Sequence, residues 1–306
     1  MRIAVTGASG FVGGAVASAL AEAGHEVVGF GRTPGGWQHP KGRYCVWDIA
    51  VGPLQVDTGC EAVVHSAALA DDWVPLAEAL RVNRDGTRNV VASFPGARFI
   101  HVSTSSVYDA FTPHRQVTES EPPAQRYLSS YSESKAAAEL EYAGQDAAIL
   151  RPHAVYGPGD TTLLPRILDG IRGARLVLPE AAAVSHTLTH IDNLVRAVHL
   201  AVVPGAARGV FNIGDDSDVV LSAVVEELLQ KQGRSDVAIR GIPYRAAYAI
   251  AAALEHTHRL SRRGRPRLTR YAVSQLGLER TLDLTAARES FGYRPGPTTL
   301  VGAEHW

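Results

Sequence analysis

The sequence lacks several features that would point to a metal, a nucleic acid or secretion. It has only two cysteines in 306 residues, Cys45 and Cys60. They cannot build a disulfide framework and do not have the spacing of a metal site, which favours a reducing cytoplasm. No charge of one sign dominates, because 30 Lys and Arg stand against 31 Asp and Glu. We therefore expect a cytoplasmic protein with no metal and no nucleic-acid partner.

Long hydrophobic runs are also missing. The most apolar helical segment, residues 246–254, is far shorter than the roughly 20 residues that cross a bilayer. Residues 1–5 lead directly into a strand-like segment, without a charged leader or a cleavage site. We expect no membrane span and no export. At 45% apolar residues the chain can bury a large core, and its expected partner is a small molecule.

The first half of the chain alternates short apolar runs with helical patterns. Its strand-like runs are rich in β-branched residues and lack polar alternation, which is typical of parallel strands covered by helices on both faces. This pattern predicts a doubly wound α/β sheet of the Rossmann type. The predicted strands are residues 3–6, 27–30, 62–66, 99–103 and 147–151.

The alternation ends after Arg151, at Gly157-Pro158-Gly159. A helix-like segment at 191–202 and a strand-like one at 210–214 then indicate a return to the sheet. We predict a cofactor-binding domain and a smaller, mainly C-terminal, substrate-binding lobe. The domain comprises residues 1–152 and 186–214, and the lobe residues 153–185 and 215–306.

A glycine-rich turn follows the first predicted strand and precedes a segment rich in helix formers, residues 15–23. Glycines let the backbone turn tightly and approach a pyrophosphate. The helix that follows presents unpaired N–H groups and the positive end of its dipole. This context predicts a dinucleotide-binding turn, whose cofactor contacts are Gly7, Ser9, Gly10, Phe11, Val12 and Gly13.

A tyrosine and a lysine stand four residues apart in Tyr131-Ser132-Glu133-Ser134-Lys135, on one face of a predicted helix. The pairing is informative because the chain has only three lysines. A free tyrosine has a pKa of about 10, and a neighbouring ammonium stabilises its phenolate. We predict that Tyr131 is a general acid/base and that Lys135 lowers its pKa.

These motifs resemble the extended short-chain dehydrogenase/reductase superfamily, also called the NAD-dependent epimerase/dehydratase family. Its pattern Ser-Ser/Thr-x-x-Val-Tyr matches the run from Ser103 to Tyr108, at the carboxyl end of the fifth predicted strand. The resemblance implies that Thr104 is the hydroxyl partner of Tyr131. Ser103 and Ser105 are alternatives, and a hydroxyl at such a position is often only a cap.

The resemblance also bears on the choice of cofactor. NAD-dependent members commonly carry an acidic residue at the end of the second strand, where this chain has Gly31-Arg32-Thr33. A guanidinium can bond a 2′-phosphate in bidentate fashion, so NADP(H) is favoured over NAD(H), although Arg32 could be an ordinary surface arginine. The other implied cofactor contacts are Asp48, Ile49, Ser66, Ala67, Ala68, Asn83, Tyr131, Lys135 and Pro152.

Within the family, the chain resembles the 3β-hydroxysteroid dehydrogenase and dihydroflavonol reductase-like branch. The two acids of sugar-nucleotide dehydratases are replaced by Ser105 and Ser106, and the polar anchors of sugar-nucleotide epimerases are missing from residues 151–160 and 185–193. The branch implies reduction of a ketone, or oxidation of a secondary alcohol, on a sterol-, polyketide- or β-keto acid-like substrate. The implied substrate pocket contains Leu69, Thr104, Ser105, Val107, His153, Ala154 and His186.

Other interpretations stay open. A sugar-nucleotide epimerase with tightly held NAD would use the same Tyr131 and Lys135, whereas a cofactor-sensing protein would tend to lack both.

The resemblance also implies a homodimer through helices near residues 70–89 and 131–142. A basic run indicates a solvated face or a phosphate site. The run consists of Arg259, Arg262, Arg263, Arg265, Arg267 and Arg270.

Overall fold

The computed structural model describes residues 1–55, 58–261 and 264–306. In chain order its strands are β1 (Arg2–Thr6), β2 (Glu26–Gly31), β3 (Gly42–Val46), β4 (Ala62–His65), β5 (Arg98–Val102), β6 (His114–Val117), β7 (Ala147–Pro152), β8 (Val155–Tyr156), β9 (Arg175–Pro179), β10 (Ser185–His186), β11 (Thr189–His190), β12 (Gly209–Ile213), β13 (Val219–Val220), β14 (Ala238–Ile242) and β15 (Arg280–Leu282). Its α-helices are α1 (Phe11–Glu22), α2 (Leu76–Leu80), α3 (Gly86–Ser93), α4 (Ser130–Glu139), α5 (Leu163–Leu168), α6 (Ile191–Val202), α7 (Leu221–Lys231), α8 (Tyr244–Ser261), α9 (Arg270–Gly277) and α10 (Thr285–Phe291).

A seven-stranded sheet in the order β12-β7-β5-β4-β1-β2-β3 forms the centre of the molecule. Its neighbouring strands all pair in parallel. The predicted doubly wound fold is therefore confirmed, including all five strands predicted in the first half of the chain. Strand β3 was not predicted. It is an edge strand whose residues are partly exposed, so it lacks the continuous apolar run that marks the buried strands.

The fold has three smaller sheets, one four-stranded (β13-β10-β15-β6) and two two-stranded (β11-β8 and β14-β9). All of their strands except β6 come from the second half of the chain. A separate apolar core there includes Leu176, Leu228 and Leu300. Ala287 and Tyr293, which the predicted boundaries assign to this part, pack instead with the core of the large sheet. The predicted domain boundaries stay a prediction.

The basic run is largely engaged in ion pairs. Arg265 pairs with Asp71 and with Asp72, which connects the segment after β4 to the segment before α9. Arg259 and Arg270 both pair with the buried Glu255. Arg267 is exposed, and Arg262 and Arg263 lie outside the described residues. Arg259 and Arg265 are exposed as well, so a solvated face whose arginines also form ion pairs stays the prediction for this run.

No helix within residues 1–55, 58–261 and 264–306 is long and apolar enough to cross a membrane. The same ranges contain no cluster of three or more His, Cys, Asp or Glu side chains that could hold a metal ion.

A buried ion pair fixes α4 against the large sheet. Arg151 on β7 donates from Nη2 to Glu139 Oε2 at 2.6 Å and from Nε to Oε1 at 3.0 Å. Ser103, just after β5, donates to the same carboxylate at 2.5 Å, and both charged side chains are almost fully buried. The pair holds the helix that carries Tyr131 and Lys135 at the carboxyl ends of β5 and β7.

We predict that Arg151→Ala destabilises the protein by about 3–5 kcal/mol, because it leaves the Glu139 carboxylate buried without a cation. Urea unfolding monitored by circular dichroism measures the loss. Arg88→Ala is the matched control, since Arg88 also pairs with a glutamate, Glu141, but is exposed. A midpoint for Arg151→Ala equal to that of Arg88→Ala would contradict this role.

Candidate active site

The glycine turn between β1 and α1 is built for close approach by a ligand. Gly7 has a φ of 72°, which favours glycine. A Cβ atom at Gly13 would lie 2.2 Å from the Gly7 carbonyl oxygen, and one at Gly7 would lie 2.8 Å from the Ala67 amide nitrogen. Helix α1 begins at Phe11 and has no side-chain cap, so its first N–H groups face outward at an exposed Gly10. This cradle fits a phosphate group.

The end of β2 lies over the same turn. A Cβ atom at Gly31 would lie 2.8 Å from Ser9 Oγ, which places the neighbouring Arg32 at the rim of the turn. Arg32 is exposed and takes part in no ion pair within the described residues. Its guanidinium is therefore available to an anionic ligand. Both a 2′-phosphate contact and an ordinary surface arginine are expected to show this exposure.

The remaining predicted cofactor positions also lie at carboxyl ends of strands. Ser66 follows β4, and its buried hydroxyl has no partner among the described residues. Ile49 packs on Gly86 at the start of α3, and its carbonyl accepts a hydrogen bond from Asn89. Asp48 accepts one from the Ala50 amide. Ala67 and Ala68 continue the chain after Ser66, and Pro152 is the last residue of β7.

Asn83 is buried in a π-helical turn, Arg81–Asp85, between α2 and α3. Its side chain accepts from the Leu69 amide at 2.7 Å and donates to the Leu69 carbonyl. It also donates to Ser134 Oγ at 2.8 Å. Asn83 thus ties the loop after β4 to α4, which indicates a structural contribution of this asparagine to the site.

Tyr131 lies in the first turn of α4. The Thr104 side chain lies close to the Tyr131 phenol and acts to lower the pKa of that phenol. The alternative hydroxyls are engaged elsewhere, Ser103 with Glu139 and Ser105 with His153. Thr104 also caps the short turn Ser105–Val107 by accepting from the Ser106 amide. Of the three hydroxyls, Thr104 is the one that the structure brings to Tyr131.

Lys135 is buried, one helical turn after Tyr131. Its Nζ atom donates to the Val102 carbonyl at 2.8 Å and lies 3.0 Å from His101 Nε2. Burial lowers the pKa of Lys135 to about 7, and the charge of Glu139 raises it in part. In the protein without cofactor, burial and Tyr271 raise the pKa of Tyr131. Thr104 lowers it by a smaller amount, so the net shift is upward. Lys135 is not among the groups that shift the Tyr131 pKa in the protein alone. Its effect on that pKa beside a bound nicotinamide stays a prediction.

The predicted substrate residues fall into two groups. A buried chain of two hydrogen bonds connects Ser105, His153 and His186. Ser105 Oγ lies 3.0 Å from His153 Nδ1, and His153 Nε2 lies 3.0 Å from His186 Nδ1. The chain ends at His186 Nε2, which has no partner within the described residues. Burial lowers the pKa of His186 to about 3, with Arg280 adding to the effect. Val107 is fully buried, while Leu69 and Ala154 are partly exposed.

Two features of the site were not predicted. Tyr271, on α9, lies close to Ser106, Ser132 and Tyr131, since its pKa responds to both serines and the pKa of Tyr131 responds to Tyr271. Burial raises the pKa of Tyr271 to about 12. No sequence signal marks this residue, because its place depends on how α9 packs. His101 stands in the hydroxyl-rich segment, but its contact with Lys135 could not be inferred from spacing.

Comparisons with known proteins agree with this geometry. Residues 3–214 match the model of the NAD-dependent epimerase/dehydratase family. The chain is 32% identical to a 2-alkyl-3-oxoalkanoate reductase of Shewanella oneidensis, over 94% of this chain and 81% of that protein. It is 28% identical to a 3-beta-hydroxysteroid dehydrogenase of Mycolicibacterium neoaurum, over 97% and 88%.

The fold is similar to that of solved relatives. The structure of MoeE5 in complex with UDP-glucose and NAD superimposes with a TM-score of 0.73 at 25% identity, covering 99% of this chain and 96% of that one. The match of the family model to more than half of the chain, and the identity to the reductase, show the family directly. The chain belongs to the NAD-dependent epimerase/dehydratase family of extended short-chain dehydrogenases/reductases, among relatives that are oxidoreductases.

Proposed function

We propose that this protein is an NADP(H)-dependent oxidoreductase that reduces a ketone, or oxidises a secondary alcohol, on a hydrophobic substrate. The observation that carries the proposal is the contact between the Tyr131 phenol and Thr104, with Lys135 buried one helical turn away. The names of the relatives, a 2-alkyl-3-oxoalkanoate reductase and a 3-beta-hydroxysteroid dehydrogenase, support the same chemistry.

Thr104, Tyr131 and Lys135 each have a different role in the proposed reaction. The hydroxyls of Thr104 and Tyr131 hydrogen-bond the substrate oxygen and orient its carbon, and Tyr131 gives that oxygen a proton during reduction. In the reverse direction the same phenol accepts the proton from the alcohol. Lys135 supplies a positive charge near the phenol and a donor for the cofactor ribose. When bound, a nicotinamide dinucleotide supplies or accepts the hydride.

The glycine turn and the strand ends around it suit a dinucleotide. The phosphates would lie at Gly7, Gly10 and Gly13, where added Cβ atoms would crowd the turn at Gly7 and Gly13 and where α1 leaves N–H groups unpaired. The unpartnered Ser66 hydroxyl would meet the same ligand. Arg32 supports NADP(H) over NAD(H), because a guanidinium attracts a 2′-phosphate and no carboxylate stands at the end of β2.

We infer a β-keto acid or similar ketone as the substrate. In sugar-nucleotide dehydratases two acids act on the leaving hydroxyl, and here Ser105 and Ser106 occupy those positions. His153 and His186 are neutral, since burial lowers the pKa of both. The unpartnered His186 Nε2 can hydrogen-bond a carbonyl or carboxylate of such a substrate.

Assembly and compartment are also inferred. Leu76 on α2 and Leu140, directly after α4, are exposed on the helices that form the expected homodimer interface. Burial of apolar side chains there would stabilise a dimer. Cys45 and Cys60 are free thiols, which supports a reducing cytoplasm.

We predict that Tyr131→Phe lowers kcat for ketone reduction by about 100-fold or more, because the substrate oxygen loses its proton donor. NADPH oxidation is followed by absorbance with 2-alkyl-3-oxo acids, steroid ketones and UDP-sugars. Tyr127→Phe is the control, since Tyr127 lies outside α4. Full turnover by Tyr131→Phe would refute this role, and UDP-sugar interconversion without net NADPH oxidation would establish an epimerase instead.

We predict that Arg32→Ala weakens NADPH binding about tenfold or more and leaves NADH binding unchanged, since a charge-assisted contact to the 2′-phosphate is lost. Calorimetry with both cofactors measures the two dissociation constants. Arg43→Ala, which removes an exposed arginine on the neighbouring β3, serves as the control. Equal weakening for both cofactors, or none, would show that Arg32 does not read the phosphate.

A further inference from the structure

Lys135 is a cation buried among polar groups of β5. Its side chain is 2% exposed and His101 is fully buried. The Nζ atom donates to the Val102 carbonyl at 2.8 Å and lies 3.0 Å from His101 Nε2. A protonated lysine has three N–H donors and no acceptor, so two donors are used within the protein and one is left.

When Lys135 is protonated, its hydrogen bonds determine the tautomer of His101. An ammonium can only donate, so His101 Nε2 must accept, and the ring proton is on Nδ1. Nδ1 lies 3.2 Å from the Tyr142 hydroxyl, which accepts that proton. Burial and the charge of Lys135 lower the pKa of His101 well below its usual value, so the ring is neutral and offers a lone pair to the ammonium.

We propose that His101 is a positioning residue that holds the Lys135 ammonium in place and keeps it charged, while Tyr142 fixes the tautomer of His101 needed to do so. The proposal rests on the proposed function in one respect, since that function gives Lys135 its task beside Tyr131 and the cofactor ribose. The hydrogen bonds from His101 and Val102 would direct the third N–H of the ammonium away from β5.

The other ionisable groups facing Lys135 do not replace His101. Glu139 raises the Lys135 pKa, but its carboxylate is already bonded to Arg151 and Ser103. His65 lies beside His101, with ring centroids 5.2 Å apart.

The His65 ring is already bonded at both nitrogens, to Thr6 and Thr87. Burial and Lys135 lower its pKa to about 3. Tyr131, one turn earlier on α4, is a phenol and not an anion, because burial raises its pKa. The neutral His101 ring is therefore the acceptor side chain that the ammonium contacts directly.

The small number of lysines permits a direct test on the protein without cofactor or substrate. Protein labelled with ¹³C and ¹⁵N in lysine has only three side-chain ammonium signals, from Lys41, Lys135 and Lys231. Lys135→Met identifies the Lys135 signal, and the exposed Lys41 and Lys231 serve as internal references. The titration midpoint of Lys135 is then compared in wild type, His101→Leu, His101→Gln and Tyr142→Phe.

We expect His101→Leu to lower the Lys135 midpoint by about one to two pH units, as removal of a charge-assisted hydrogen bond requires. His101→Gln, which places an amide oxygen near the position of Nε2, should restore most of the loss. Tyr142→Phe should lower the midpoint by less, because the wrong tautomer of His101 becomes accessible. The Lys41 and Lys231 signals should titrate as in wild type in every variant.

A Lys135 midpoint that is the same in His101→Leu as in wild type would overturn the proposal, as would a glutamine variant no better than the leucine variant. If His101→Leu does not fold, an unchanged Lys135 midpoint in Tyr142→Phe contradicts the proposal instead.

With an active ketone substrate, the alkaline limb of the pH profile of kcat/KM should move to lower pH by the same amount as the Lys135 midpoint. Failure to find any such substrate would count against the proposed function. The titration of Lys135 would still test the proposal for His101, because it needs neither substrate nor cofactor.

Discussion

The site depends on keeping one lysine charged in a buried position. An ammonium removed from water loses several kcal/mol of solvation unless nearby groups accept its protons. Here the Val102 carbonyl and His101 accept from Lys135, and the Glu139 carboxylate lies one helical turn further along α4. The Arg151 and Glu139 pair in turn fixes that helix on the sheet. Because these contacts hold Lys135 and α4, they also fix where Tyr131 meets Thr104.

The parallel sheet explains why the functional groups converge. The strands of the large sheet all end at the same edge, so the glycine turn after β1, Ser66 after β4 and Thr104 after β5 lie along one side of the molecule. Helix α4 brings Tyr131 and Lys135 to that edge, and α9 of the second half brings Tyr271. Tyr271 and Tyr131 therefore meet at this edge although they come from distant parts of the chain.

Sequence reasoning succeeded where the signal is local. The apolar runs of the buried strands, the glycine spacing and the four-residue distance from Tyr131 to Lys135 all arise within short segments, and the fold followed from them. It failed where residues distant in the chain meet. The place of Tyr271, the contact of His101 with Lys135 and the pairing of Arg265 with Asp72 depend on packing between elements. The direction of the Lys135 ammonium depends on packing too, since its Nζ atom donates to the Val102 carbonyl on β5.

Transfer of a labelled hydride from NADPH to the substrate is the decisive test of the proposed reduction. The protein is incubated with NADPH deuterated at the reactive nicotinamide position and a 2-alkyl-3-oxo acid, and the product is analysed by mass spectrometry and NMR. The account predicts one deuterium on the former carbonyl carbon for each NADPH oxidised. Deuterium absent from the product while NADPH is consumed, or a UDP-sugar epimerised with no net oxidation of cofactor, would contradict it.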